Sequence, residues 1–244
     1  MKINSKIKIL ALDADDTLWK NELYYRETEN KFAELLQHFS PINETLDLLL
    51  ETENKTISLY GYGVKGFVLS MIETALLITT NKADSAIIEK IIVLGKELIN
   101  KPLILFDGVK ESLHEIRTLG IKLVMATKGD LLDQERKLRN SSLSACFHHI
   151  EIMSNKNESD YLKLLERLDI SADEFMMVGN SVKSDILPVL NIGAYAIHIP
   201  YHISWAHEAV ENNAKTHQKF LEIKNIKELI PIIIENKNAF VYTT

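Results

Sequence analysis

With 244 residues the chain exceeds a typical domain of about 150, so one large domain or a core carrying an insertion is expected. Hydrophobic residues make up 46% and charged residues 25%, which excludes a disordered chain and suits a globular protein able to bury its own core. The net charge of −6 argues against nucleic acid or an anionic membrane surface as main partner, yet leaves room for a small anionic ligand at a local cationic site.

Along the chain, residues 7–13 (IKILALD) form a short β-branched, apolar run expected to be a buried strand. A long stretch without strand character comes next. Phe32, Leu35, Leu36 and Phe39 stand at helical spacing over residues 27–39, stopped by Pro41, and Asn43 is a candidate cap for a helix through Leu46, Leu49 and Leu50. Residues 60–66 hold three of the nine glycines and are expected to be a loop. Helical patterns over 67–78 and 86–99 complete the region, and Pro102 closes it.

From there strands and helices alternate. Helix 109–119, strand 121–126, helix 131–139, strand 147–153, helix 161–168, strand 174–178, helix 185–190 and strand 195–199 are expected in that order. A last helix starts near Asn225, with Pro231 as a kink or early stop. This rhythm implies a doubly wound parallel sheet of the α/β class. The expected domains are an α/β core from 1–17 and 103–244 and a helical insertion over 18–102, after the first strand. No apolar run is long enough for a membrane helix. Cys146 is the only cysteine, so no internal disulfide forms, and the opening MKINSKIKIL lacks the apolar stretch of a secretory signal. A cytoplasmic setting is expected.

Ligands of open α/β sheets bind at the carboxyl ends of strands. Those positions hold Asp13-Ala14-Asp15-Asp16-Thr17, then Thr127-Lys128-Gly129-Asp130, then Ser154-Asn155-Lys156, then Gly179-Asn180-Ser181 with Asp185 shortly after. Two carboxylates two residues apart beyond a buried strand repel unless a cation separates them, and oxygen ligands favour a hard ion such as Mg²⁺. A hard cation beside an ammonium and a hydroxyl makes a receptacle for a phosphoryl group. One carboxylate can attack phosphorus, and a second can handle the protons. The plain structural alternatives are a turn-forming acidic cluster at 13–16, a helix cap at Thr127 or Asp130, and a helix-flanking role for Asn180 and Asp185.

These residues resemble the haloacid dehalogenase (HAD) superfamily of phosphohydrolases, over about 7–17 and 103–200. The helical insertion lies where that family carries a C1-type cap. The resemblance implies a Rossmann-like core. It also implies Asp13 as nucleophile and Asp15 as general acid/base, in a D-x-D-x-T signature completed by Thr17. It implies Thr127 and Lys156 as phosphate-binding residues, and Asp13, Asp15 through its carbonyl, Asn180 and Asp185 as holders of Mg²⁺. Asn180 departs from the family's usual aspartate, and Asn157 stands where a proline is common. The expected function is Mg²⁺-dependent hydrolysis of a small phosphorylated metabolite through an aspartyl-phosphate. A phosphomutase and a catalytically weak regulatory protein are the alternatives.

Tyr60, Tyr62 and Lys65 in the glycine-rich loop either contact substrate or serve packing and turn formation. Trp19 is expected to pack rather than touch substrate. His148 and His149 lack a carboxylate at ligand spacing, and His198, His202 and His207 are too irregular for zinc.

Overall fold

In the computed structural model, residues 7–202 and 213–238 are described, so residues 1–6 and His207 of the sequence reading lie outside the described part. Six parallel strands form one sheet in the order β3-β2-β1-β4-β5-β6. They are β1 (Ile9–Leu12), β2 (Lys122–Lys128), β3 (His149–Met153), β4 (Phe175–Gly179), β5 (Tyr195–His198) and β6 (Phe220–Glu222). The central strands are apolar throughout because both faces are covered. Ile9 and Ala11 point to the side where Tyr161, Leu164, Val189 and Leu190 pack. Helices α7 (Glu158–Leu168) and α8 (Leu187–Asn191) supply those residues, while α5 (Val109–Thr118) packs against β2 and against α9 (Leu229–Asn238). The chain order reverses at β1, with β2 on one side and β4 on the other. Leu12 pairs in register with Val178, so Asp13 and Gly179 emerge side by side at that switch.

The chain divides into two compact units: Met1–Lys20 with Ile104–Lys128 and Leu138–Thr244, and Asn21–Leu103 with Gly129–Lys137. The second is helical, built from α1 (Glu22–Leu35), α2 (Ile42–Tyr60), α3 (Val64–Ile78) and α4 (Ser85–Ile99). Residues 129–137 include the opening turns of α6 (Leu131–Ser141). In this unit α2 packs on α3, α3 on α4, and α1 on both α4 and α2. Its core holds Phe32, Leu36, Leu49, Phe67, Met71 and Ile91. Thr56 and Ser70 join α2 to α3 by a buried hydroxyl pair at 2.8 Å.

Several expected elements shift. α1 spans Glu22–Leu35 rather than 27–39, because Phe39, which fits the helical spacing, lies 56% exposed in the turn after the helix. Asn43 is not a cap: Pro41 fixes the entry at φ −56° and α2 starts at Ile42. Asn225 does cap, but it caps a short 3₁₀ turn, Ile226–Glu228. Pro231 neither kinks nor ends α9, since it stands in the first turn, where its missing N–H has no helical partner. β6 is an additional, short edge strand.

Candidate active site

The sheet unit gathers the strand-end residues as the sequence suggested. Asp13 leaves β1 with its N–H donated to the Val178 carbonyl at 2.9 Å, which ties it to β4. The Lys156 ammonium lies 2.5 Å from Asp13 Oδ1 and 2.6 Å from Asp185 Oδ1, and all three side chains are buried. Burial works to lower the lysine, but the two carboxylates outweigh it and push the ammonium up to about 12. Burial pushes the Asp13 carboxyl up to about 7, against the pull of Lys156, and the Asp185 charge adds to the rise. The start of α7 places the lysine. Asn157, its chain neighbour, is the N-cap of that helix in a capping box, accepting from the Asp160 N–H at 3.2 Å while Asp160 Oδ2 accepts from the Asn157 N–H at 3.3 Å. That gives Asn157 a structural task at the position where the family commonly carries a proline.

Asp185 has both oxygens engaged, the second by the Ser181 N–H at 3.0 Å. It stands with the lysine. Its approach requires glycine at 179, because a β-carbon there would meet Asp185 Oδ2 at 2.2 Å and Cγ at 2.3 Å. Asp185 sits in a π-helical turn, Val182–Ile186, whose Ser184 hydroxyl accepts from Lys128 Nζ at 2.8 Å.

Asn180 forms the other half of the cluster. In the orientation that satisfies its neighbours, its amide nitrogen faces Asp13 Oδ2, Thr17 Oγ1 and the Asp15 carbonyl oxygen, each at 3.2 Å, and donates to them. Turned over, the amide would add a fourth oxygen to three already converging, which is the donor chemistry of a hard cation. The residues therefore fit a divalent ion, with Asp13, the Asp15 carbonyl and Asn180 nearest to it and Asp185 beside the lysine. Among the described residues no group of three or more His, Cys, Asp or Glu side chains is arranged to hold a metal. A cation here would thus draw on backbone and amide oxygens.

Thr127 is buried near the end of β2. Asp130 is the cap the sequence suggested, with Oδ1 accepting from the Asp133 N–H at 3.2 Å. In the helical unit, Lys65 pairs with Asp130 Oδ2 at 2.8 Å, the Tyr60 hydroxyl donates to Glu73, and Tyr62 is half-buried. The loop expected over 60–66 shrinks to residues 61–63, since Tyr60 ends α2 and Lys65 and Gly66 lie in the first turn of α3, and it approaches Asp130 so closely that a β-carbon at Gly63, whose φ is +102°, would lie 3.0 Å from the Asp130 nitrogen.

The sequence missed His198. It is buried at the end of β5, with Nε2 3.0 Å from the Asn180 carbonyl oxygen and Nδ1 3.0 Å from Glu222 Oε2. It thereby fixes the backbone on which Asn180 is carried. Glu222 lies on β6, so without that strand the pairing had no visible signal. His149 also has a carboxylate after all, Glu151 two residues on at 2.9 Å, a pairing of alternate positions on one strand face.

These features define a doubly wound α/β core with a carboxylate at the end of its first strand. The chain belongs to the haloacid dehalogenase-like hydrolases, whose family model matches residues 7–193. It resembles the crystal structure of a haloacid dehalogenase-like family hydrolase from Xanthomonas campestris, at 32% identity and a TM-score of 0.84, over 98% of this chain and 95% of that one. A structure of the HAD-hydrolase YfnB from Bacillus subtilis bound to magnesium shares the fold at 17% identity and a TM-score of 0.61, over 93% of this chain and 98% of that one. Glyceraldehyde 3-phosphate phosphatase from Pyrococcus abyssi is 24% identical over 137 residues, 54% of this chain. The match spans 56% of that relative's length. No helix among the described residues is long and apolar enough to cross a membrane.

Proposed function

We propose that this hydrolase cleaves small phosphomonoesters in the cytoplasm, with Asp13 as nucleophile, Asp15 as general acid/base and Mg²⁺ as cofactor. The observation that carries the reading is the buried Asp13–Lys156–Asp185 group at the carboxyl edge of the sheet. An ammonium held between two carboxylates gives a buried nucleophile a neighbouring cation, which the oxygens of a phosphoryl group require. The phosphatase named among the relatives supports the same class of substrate.

In this reading Asp13 forms a phosphorus–oxygen bond and Lys156 and Thr127 hold phosphoryl oxygens. Asp15 protonates the leaving oxygen and then takes a proton from water, which frees the aspartyl-phosphate as inorganic phosphate. Asp13, the carbonyl of Asp15, Asn180 and, from beside the lysine, Asp185 would hold Mg²⁺, which would supply charge neutralisation to the phosphoryl oxygens. The helical unit, with Tyr60, Tyr62 and Lys65, contributes to the choice of leaving group. The test is turnover of p-nitrophenyl phosphate with Mg²⁺ and with EDTA, in the native protein and in Asp13→Asn. Expected are Mg²⁺-dependent turnover and a loss of about a thousandfold or more in the variant. Turnover that survives Asp13→Asn removes the nucleophile assignment.

A further inference from the structure

Asp185 reaches Lys156 from the π-helical turn Val182–Ile186, a rare geometry that recurs at functional sites. The residue before the acid is held from three sides. The Ser184 N–H donates to Ser181 Oγ at 3.0 Å, its hydroxyl accepts from Lys128 Nζ at 2.8 Å, and its carbonyl accepts from the Tyr161 hydroxyl at 2.9 Å. At the other end of that same Ser184–Asp185 peptide, the Asp185 N–H donates to the Ser181 carbonyl at 2.8 Å. One peptide plane is thus bonded through both its oxygen and its nitrogen, which fixes the direction in which the Asp185 side chain departs. Tyr161 is itself fully buried, with its ring 6.3 Å from that of Phe175. It stands on α7, the helix that opens beside Lys156. A single helix therefore carries two grips on the turn, Lys156 Nζ on Asp185 Oδ1 at 2.6 Å and the Tyr161 hydroxyl on the preceding carbonyl. Phenylalanine would fill the same space among Leu164, Leu165 and Val189, so what the hydroxyl adds is a hold on the turn.

We propose that Tyr161 is a positioning residue that, through the Ser184–Asp185 peptide, holds Asp185 against Lys156 and thereby sets where the ammonium meets a phosphoryl oxygen. This rests on the reading of Lys156 as a phosphate-binding residue. Without the hydroxyl the Ser184 carbonyl loses a buried donor, and the turn is free to rotate towards another. Asp185 Oδ1 then leaves its place, and Lys156 is drawn towards the carboxylate that remains, Asp13 at 2.5 Å. An ammonium displaced in that way keeps its charge but loses the direction in which it would bond a phosphoryl oxygen.

The test titrates inorganic phosphate into the full chain by calorimetry, in one buffer holding Mg²⁺, for the native protein, Tyr161→Phe and Tyr161→Leu. Expected in Tyr161→Phe is a loss of about fivefold or more in phosphate affinity, with a melting temperature lowered by only a few degrees. Tyr161→Leu, which deletes the ring as well, should melt much lower yet lose no more than about twofold further affinity. Affinity unchanged in Tyr161→Phe, or lost only in Tyr161→Leu in step with its melting temperature, makes the residue a packing element and overturns the proposal. Lys156→Met on the same titration separates the failures. Unchanged phosphate binding there removes the reading of Lys156 and the proposal with it, whereas binding lost there and unchanged in Tyr161→Phe overturns only the role of Tyr161. Should Tyr161→Phe fail to fold, amide hydrogen exchange in the native chain gives a second measurement. The Asp185 amide should be protected as strongly as those of β4, and exchange as fast as that of exposed Lys183 overturns the held peptide.

Discussion

In the sheet unit one ammonium, that of Lys156, is shared by carboxylates from two other parts of the chain, Asp13 and Asp185. In the helical unit one guanidinium, that of Arg26, is shared by two carboxylates of its own helix, with Glu22 and Glu29 both 3.1 Å away. Its side chain is 39% exposed, whereas that of Lys156 is 1% exposed. Burial pushes Glu29 up, and it pushes Glu53 further, to about 8, with the Glu29 charge adding to it. The first cluster thus keeps its cation charged far above neutrality. The second meets its excess of acid by holding protons. Long-range assembly of a fully enclosed ion group is what a binding site requires, while the Arg26 pairs are i,i+3 and i,i+4 neighbours on α1, to which α2 adds only the charge of Glu53.

The comparison breaks most easily at Lys156. Lys156→Met strands two buried carboxylates and is expected to lower stability by about 3–5 kcal/mol, read by chemical denaturation. A loss under about 1 kcal/mol would mean that the carboxylates find other partners. Next comes Asn180→Asp, which sets a second anion beside Asp13 Oδ2. Its melting temperature should fall by several degrees in EDTA, on the order of 1 kcal/mol, and recover with Mg²⁺ more than the native protein does. A melting temperature indifferent to Mg²⁺ would remove Asn180 from the cation site.

Glu53→Gln sharpens the other side. Folded Glu53 keeps its proton up to about pH 8. The unfolded chain releases it in the ordinary carboxylate range and so binds fewer protons across that window. Native stability should therefore fall as pH rises from 5 to 8, and the glutamine variant should lose that slope, gaining on the order of 1 kcal/mol at pH 8. Parallel pH profiles for the two proteins would show that Glu53 titrates alike in the folded and the unfolded chain. The smallest effect belongs to Arg26→Met, expected within about 1 kcal/mol of native stability at neutral pH.

Much of this arrangement was legible in the sequence. β1, β2 and β4 are apolar runs that lead to Asp13, Thr127 and Asn180, and Lys156 follows β3, so their order along the chain already places these four residues at one edge. The hidden parts were less periodic. β6 is three residues long, Phe220–Glu222, and alternates with nothing. The early start of α1 at Glu22 is masked by a polar run and by an N-cap residue, Asn21, whose side chain makes no capping bond. The nitrogen-inward amide of Asn180 and the bond from Tyr161 to the Ser184 carbonyl depend on three-dimensional approach, which spacing does not encode.

The closeness of Gly179 to Asp185 also governs which mutational routes are open. A methyl group at 179 would occupy the volume held by the carboxylate at 185. The two positions are therefore coupled in one direction. Asp185 can be shortened while Gly179 stays, but Gly179 can be enlarged only in a chain that has already lost Asp185. In a saturation library, alanine at 179 should appear almost exclusively on backgrounds where 185 is small, so the glycine guards the acid against gradual replacement of its surroundings.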